Sequence, residues 1–520
     1  METSTLNATA PAPAATPALR RAQDLPGPRG WPIVGNLLQI DAERMHLQLE
    51  AWAHEFGPFF KLQLGPRFIV VVGDHQATAS ALRDRPDGFR RTSRMEEIGT
   101  EMGLKPGVFA ANGDTWKRQR RMVMAGFDPA HVKRYHPALV GVAGRLGARW
   151  ARAAQADSTI DLQSDLMRYT VDAIAGLAFG AEVNTLGSDG DVIQQHLDKM
   201  FPTLFTRIMS PLPIWRWVRT AKVRAVERSV AAVNEAVNEA VNGFIQQARA
   251  RMSENPALRT HPQNLLEAML AAADEEGSGI DDEQVAGNVF TMLLAGEDTT
   301  ANTLAWMVDL LWRNPPALAR ATEEVRRVVA FAASAEFEAS MEQLSALDFV
   351  EACIHETMRL KPVAPIIGLQ ALRDSVVGDV QVEKDTVLIN VMRRDSVSDT
   401  HTPRAASFEP ERWLNDGTFK LGADLEANLG ANRAANLGAN RAANNSATHP
   451  KRTSMPFGAG PRICPGRYMA MLEMKLAIAV LLSRFDIQMV DTADGLPARE
   501  KLSLAMAPVG LRMRLKSRVS

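Results

Sequence analysis

Residues 280–314 constrain the fold more than any other stretch of this chain. Ile280-Asp-Asp-Glu-Gln-Val285 offers Asp281 as an N-cap with Gln284 three positions later, and Ile280 and Val285 can close a hydrophobic staple. The helical pattern then runs unbroken to Asn314, which Pro315 pushes out of the helical region. About 32 residues rising ~1.5 Å each make a rod of roughly 50 Å. Its segments Val289-Phe-Thr-Met-Leu-Leu-Ala and Leu304-Ala-Trp-Met-Val are apolar on most faces, so the rod has to cross the interior of a large body. Ala295-Gly-Glu-Asp-Thr-Thr300 interrupts that apolar surface. Carboxylates and hydroxyls cost free energy when buried unpaired, and threonine is a weak helix former, so function accounts for the cluster better than stability does. A threonine bonding back to the carbonyl of the preceding turn is the competing structural explanation.

The rest of the chain can supply that body. With 520 residues, 46% hydrophobic and 23% charged, it has the make-up of a large globular protein. Helical periodicity recurs from 113 to 360, with long stretches at 131–153 and 219–250 and an earlier helix at 43–56. Strand patterns are few: Phe59 to Leu64 and Arg67 to Val72 flank a Gly65-Pro66 turn, 374–390 reads as a hairpin, and 502–515 as a closing pair of short strands. The expectation is a mainly α fold with a smaller β-rich region, in one large domain over 25–520. Residues 1–24 lack the apolar run of a signal peptide and read as a mobile tail. With no spanning segment in view, that points to a soluble cytoplasmic protein with at most peripheral membrane contact. Within 424–450 an octapeptide, Asn-Leu-Gly-Ala-Asn-Arg-Ala-Ala, fills 428–435 and recurs at 436–443; lacking an apolar face, it reads as a solvated loop insertion. Residues 88–112 read as irregular, and the pairs Glu323 with Arg326 and Glu324 with Arg327 as ordinary solvated ion pairs.

Charge and cysteine content exclude several function classes. Lys and Arg number 59 against 60 Asp and Glu, which gives no uniformly basic surface for nucleic acid. Two cysteines, Cys353 and Cys464, are too few for a disulfide framework or a Cys-rich zinc site. Cys353, on a helix, reads as a small buried hydrophobe. Cys464 differs, because it lies in Pro456-Phe-Gly-Ala-Gly-Pro-Arg-Ile-Cys-Pro-Gly466, directly ahead of an apolar helix beginning near Arg467. Helix N-terminal amides favour thiolate over thiol at such a place, and glycines at 458, 460 and 466 allow a tight turn or the close approach of a flat group. Phe457, Gly460, Arg462, Cys464 and Gly466 form F-x-x-G-x-R-x-C-x-G, a coincidence expected at fewer than about one position in a million.

This segment resembles the haem-binding signature of the cytochrome P450 enzymes, and the resemblance extends over about residues 26–515. It implies the P450 fold, with haem b buried between two long helices and Cys464 as the axial thiolate, a ligand that favours O–O cleavage. Phe457 would pack beside the sulfur and Arg462 would pair with a haem propionate. Ala295-Gly-Glu-Asp-Thr-Thr300 resembles the family's oxygen-activation motif: Gly296 would open room for dioxygen, Thr299 would hold a water or the bound peroxide, and Asp298 would relay protons. Trp116-Lys-Arg-Gln-Arg120 resembles a W-x-x-x-R helix whose Trp116 and Arg120 reach a propionate. Glu356, Arg359 and Arg412 would form a structural network behind the haem. Two departures stand out: Leu369 where the family often carries an arginine, and Asp385 where glycine is usual at a hairpin turn.

The function so implied is a monooxygenase that inserts one oxygen atom from O2 into a lipophilic substrate by hydroxylation or epoxidation. Residues 88–112 and 200–215, Ile366, Ile367 and Leu504 to Pro508 are the candidate pocket walls. No G-x-G-x-x-G fingerprint follows a strand, so a monomer without a fused reductase is expected, served by a separate ferredoxin or flavodoxin-like donor and an NAD(P)H reductase. Lys117, Arg118, Arg121, Lys451, Arg452 and Arg467 are candidates for the basic patch that meets it. Rival functions are a peroxide-driven oxygenase or isomerase and a non-catalytic haem sensor or carrier; a cysteine hydrolase is more distant, since no motif brings a histidine to Cys464.

Overall fold

The computed structural model describes residues 19–518, apart from 66, 181–183, 188–202, 205, 209, 211–212, 219, 330–336 and 415–449. The repeat at 428–443 and residues 1–18 therefore lie outside the described residues. The central helix is Asp282–Arg313, and its start carries the reciprocal capping box between Asp281 and Gln284. Long helices surround it: Pro129–Gln155, Leu162–Phe179, Ala221–Glu254, Asp348–Leu360 and Arg467–Arg484, the last helix. Their apolar faces merge into one extensive core that includes Leu146, Ala301, Leu304 and Leu476, all without exposure.

The five-stranded sheet packs into two smaller apolar clusters, while Phe485, Val490, Met513 and Leu515 of the C-terminal strands join the main core. Five strands run in the order Phe59–Leu64, Arg67–Val72, Val387–Val391, Ile366–Ala371 and Phe89–Arg90. Ser375–Val377 and Val380–Val382 form the hairpin, so only the first part of 374–390 behaves as its pattern suggests; Val387–Val391 leaves for the larger sheet. Near the C-terminus Glu500–Leu502 pairs with Met506–Pro508, whereas Arg512–Ser517 pairs back to Phe485–Asp491.

Four expectations need correction. Arg20–Arg21 is a parallel strand against Val380 and Gln381, Arg20 is ion-paired to Asp379, and Ala22 is buried, so residues 20–24 belong to the body rather than to a tail. Residues 88–112 contain the helix Ser93–Glu101, capped by the Thr92 hydroxyl. Glu324 is buried and accepts the Phe349 and Val350 N–H groups at 2.8 Å each, so it caps the Asp348–Leu360 helix instead of making a solvated pair. Arg326 donates to the Leu482 carbonyl and to Asp486. At the turn where glycine is usual, Asp385 adopts φ +66°, the left-handed conformation that aspartate tolerates better than most residues.

Candidate active site

Residues 456–466 lead into the last helix as an irregular loop that closes on itself: the Cys464 N–H donates to the Phe457 carbonyl at 2.9 Å. Phe457 packs, partly buried, on the main core. Gly460 has φ +71°, and a Cβ there would meet Arg83 Cα and the Leu82 oxygen at 2.6 Å. The missing side chain thus lets the loop rest on the helix His75–Arg83. Gly466 is the N-cap of the last helix. Burial pushes the Cys464 thiol up, while the Gly466 N–H and the charges of Arg120 and Arg467 pull it toward thiolate. Arg467 donates to the Cys464 carbonyl at 3.3 Å and stacks on Tyr468. Lys117 also has carboxylate neighbours, Asp87 at 3.8 Å and Asp114 at 3.4 Å.

Beside this loop, guanidinium groups accumulate without counter-charge. Arg462 lies over the Trp116 ring at 4.6 Å and donates to the Ala111 carbonyl at 2.6 Å. Trp116 is buried. Arg120 donates to the Ile463 carbonyl at 2.7 Å, and Arg85 to the Leu82 and Ala459 carbonyls. Arg91 lies over Phe109 at 4.3 Å. Burial first, then mutual repulsion, pushes Arg85 and Arg462 down to about 9; burial pushes Arg91 and Arg120 down to about 10. Among the described residues none of the four reaches a carboxylate, and Arg462 Nε is buried without a hydrogen-bond partner. Anionic oxygens placed between its members would offset the mutual repulsion.

Arg85 and Arg91 escaped the sequence reading. The antiparallel pairs Phe89 with Ala371 and Arg90 with Gln370 bring Arg91, the next residue, close to the strand that holds Leu369, whose own side chain is fully buried in the sheet core. The available signal was the cation pair Arg90-Arg91 just before the capping Thr92, but its relation to Leu369 depends on strand register.

On the central helix, Ala295 is exposed and Leu294, Asp298 and Thr299 are half-buried although they sit mid-way along it, so the helix presents that face to an open space. Thr299, one turn later, donates its hydroxyl to the Ala295 carbonyl at 2.7 Å. Its lone pairs remain available as acceptors. Asp298 accepts from Asn302 at 3.0 Å, and Asn302 accepts in turn from Gln163 at 2.7 Å, two partners that no motif announces. A Cβ at Gly296 would lie 3.1 Å from Ile174 Cγ1, so this glycine lets the Leu162–Phe179 helix approach closely. An apolar cluster containing Ile98, Met102, Leu204, Ile208, Phe290 and Leu504 borders the same stretch. Trp215 Nε1 and Arg216 both donate to Glu101 at 2.7 Å, closing this cluster on its outer side.

The structure brings Glu356, Arg359 and Arg412 together. Arg359 binds both Glu356 oxygens, at 2.8 and 2.7 Å, and three backbone carbonyls; Arg412 Nε reaches the same carboxylate at 3.2 Å, and Trp413 Nε1 at 2.8 Å. A separate trio, His75, Asp395 and His401, resembles a metal-ligand set. Its carboxylate is already occupied by the His75 backbone and ring and by Arg394, so the trio pins the start of a helix.

A thiol at a helix start, flanked by arginines that need a multivalent anion, defines a haem-thiolate protein. A cytochrome P450 family model matches residues 25–515, and the chain belongs to the cytochrome P450 family. It is 27% identical to the self-sufficient cytochrome P450 monooxygenase CYP505E5 of Aspergillus niger over 95% of this chain and 43% of that protein. It is 25% identical to the protein LUTEIN DEFICIENT 5, chloroplastic, of Arabidopsis thaliana over 88% of this chain and 72% of the other. The chain thus spans less than half the length of the fungal relatives it matches. A crystal structure of the cytochrome P450DA heme domain superposes with a TM-score of 0.76 at 22% identity, covering 96% of this chain and 99% of the other. The cofactor is haem, and the residues fit it: a sulfur for the iron, arginines for the propionates, and the open face at Ala295. No helix among the described residues is long and apolar enough to cross a membrane.

Proposed function

We propose that this chain is the haem-binding part of a monooxygenase that places one oxygen atom of O2 into a C–H or C=C bond of a lipophilic substrate and releases the other as water. Two electrons come from NAD(P)H through a separate reductase partner. The observation that carries this reading is the uncompensated cluster of Arg85, Arg91, Arg120 and Arg462 around Cys464 and its loop. Bound haem supplies the reductive activation of dioxygen. Cys464 would hold the iron through its thiolate sulfur, and the Gly466 N–H with the nearby charges of Arg120 and Arg467 would stabilise that negative charge. Arg462, Trp116 and the other arginines would hold the propionates.

Thr299 has committed its proton to the Ala295 carbonyl, so toward the open face it accepts a hydrogen bond and orients the donor there. Asp298, tethered through Asn302 to Gln163, is the proton-carrying group next to it. The apolar cluster around Phe290 and Leu504 binds the hydrocarbon and excludes water. The fungal relatives are described as self-sufficient, so the separate donor is the finer part of the proposal. A carbon monoxide difference spectrum of the reduced, haem-loaded protein tests the whole: a red-shifted Soret band is expected, and Cys464→Ser abolishes it. The same spectrum from both proteins overturns the reading.

A further inference from the structure

Glu500 is a buried carboxylate with three basic partners. It opens the strand Glu500–Leu502, which pairs with Met506–Pro508 as a hairpin. Its oxygens accept from Arg393 at 2.8 and 3.0 Å and from Lys361 at 2.6 Å, and His46 Nε2 lies 2.9 Å from the second of them. Arg393 spends its remaining donors on Glu50, at 2.9 and 2.7 Å, and on the Leu360 carbonyl at 3.2 Å. Lys361 also lies over the Trp306 ring of the central helix at 4.6 Å. The helix Met45–Phe56, the end of the helix Asp348–Leu360, the residues that follow the strand Val387–Val391 and the hairpin are thereby joined beside the central helix.

Burial alone would raise the Glu500 carboxyl. Hydrogen bonds from His46 and Arg393, with the charges of Arg393 and Lys361, outweigh it and hold the group well below the usual carboxylate range. Glu50 and Glu500 thus answer Arg393 and Lys361 as fixed charges.

A hairpin of two three-residue strands has little stability of its own. Leu502 and Met506 are buried with Leu49 and Trp306, and the Met506 N–H donates to the Val363 carbonyl at 2.8 Å. The chain turns at 503–505, where the Ser503 N–H donates to the Ala505 carbonyl at 3.1 Å, and Leu504 enters the apolar cluster with Ile98, Phe290 and Leu294. Leu294 directly precedes the exposed Ala295. Leu504 follows Glu500 by four residues, about 13 Å of extended chain. The ionic clamp therefore holds the base of the hairpin, and Leu504 stands at its tip.

We propose that Glu500 is a positioning residue for substrate selection: by clamping the hairpin to Arg393, Lys361 and His46 it fixes how far Leu504 reaches toward Phe290, and so the length of hydrocarbon chain that the apolar cluster accepts. This rests on the reading above in which the cluster around Phe290 and Leu504 binds hydrocarbon. Glutamine at 500 keeps the shape of the side chain but turns an amide N–H2 toward donors, which loosens the base and frees the tip.

The test titrates haem-loaded wild type, Glu500→Gln, Lys361→Met and Leu504→Ala with imidazole and with its N-butyl, N-octyl and N-dodecyl derivatives, following the Soret shift that nitrogen ligation of the iron produces. Imidazole itself reports the iron site and should bind every variant as it binds the wild type. Among the alkyl derivatives the wild type should prefer one length; the spread between its best and worst dissociation constants should shrink about tenfold in Leu504→Ala and about threefold to fivefold in Glu500→Gln and Lys361→Met. A Glu500→Gln protein that melts earlier but keeps the wild-type spread overturns the proposal, since its role is then structural only. Weaker binding of imidazole itself by Glu500→Gln also overturns it, because the effect then lies at the iron. Should Glu500→Gln not fold, Lys361→Met, which keeps an apolar stem over Trp306 and removes only the charge, decides by the same spread. An unchanged spread in Leu504→Ala overturns the reading of the cluster as the hydrocarbon site, and is told apart from failure at Glu500, where Leu504→Ala alone changes the spread.

Discussion

Two ionic regions of this molecule contain buried arginines and are built on opposite principles. Around Glu356 every charge is answered: Arg359 has no exposure, binds the carboxylate with two nitrogens and spends its remaining donors on the carbonyls of Ser396, Ala405 and Ser407. Around Cys464, Arg85, Arg91, Arg120 and Arg462 face carbonyls, rings and one another, without a carboxylate among the described residues. The first region is complete within the chain. The second is complete only with a ligand that brings negative charge, and the family's cofactor carries two propionates. Buried positive charge left unbalanced by the fold therefore marks a binding site, whereas balanced charge marks structure.

Mutations should separate the two regions by sign. Glu356→Ala strands Arg359 and Arg412 and should cost about 3–5 kcal/mol of stability, read from denaturant unfolding; a loss within that of an average surface mutation would show that the network is dispensable. Arg462→Gln should do the reverse. Haem transfer to an acceptor such as apomyoglobin should accelerate about tenfold, the worth of one charged hydrogen bond, while the haem-free protein unfolds no earlier than the parent because repulsion has been relieved. Haem-free protein that is destabilised by this change would mean that the arginines are already balanced.

The smallest effect concerns acid. His355, stacked on Trp413 behind the balanced network, is pushed down to about 3 by burial and then by Lys451 and Lys475. It stays neutral in the folded state while the unfolded chain takes up a proton below about pH 6.5, so stability declines as pH falls from 6.5 toward 3. His355→Gln should flatten that decline in a series of thermal melts, and an unchanged slope would place the acid sensitivity elsewhere.

Local signals carried much of this protein. The capping box at Asp281 and Gln284 depends on residues three apart, and it forms where the pattern places it. The grouping of Phe457, Arg462 and Cys464 is likewise contiguous, so its chemistry can be inferred without a fold. Misreadings arose where a residue's partner is distant in sequence. Glu324 has Arg327 at a helical spacing, yet its carboxylate caps another helix. Arg326 has Glu323 at a helical spacing, yet it donates to Asp486 and the Leu482 carbonyl.

By itself, then, the chain's order of residues determined a mainly helical body, one long central helix with a polar interruption, and a cysteine placed at a helix start, because periodicity, capping and loop-to-helix punctuation act within a few residues. Tertiary structure alone decided that Phe89–Arg90 pairs with the strand of Leu369, that Arg85 joins the cluster, and that Thr170 reaches the Glu297 carbonyl of the central helix. Those relations depend on strand register and on which helix faces meet. Both are set by burial of the whole apolar surface at once, a sum over distant residues that no short window of sequence contains.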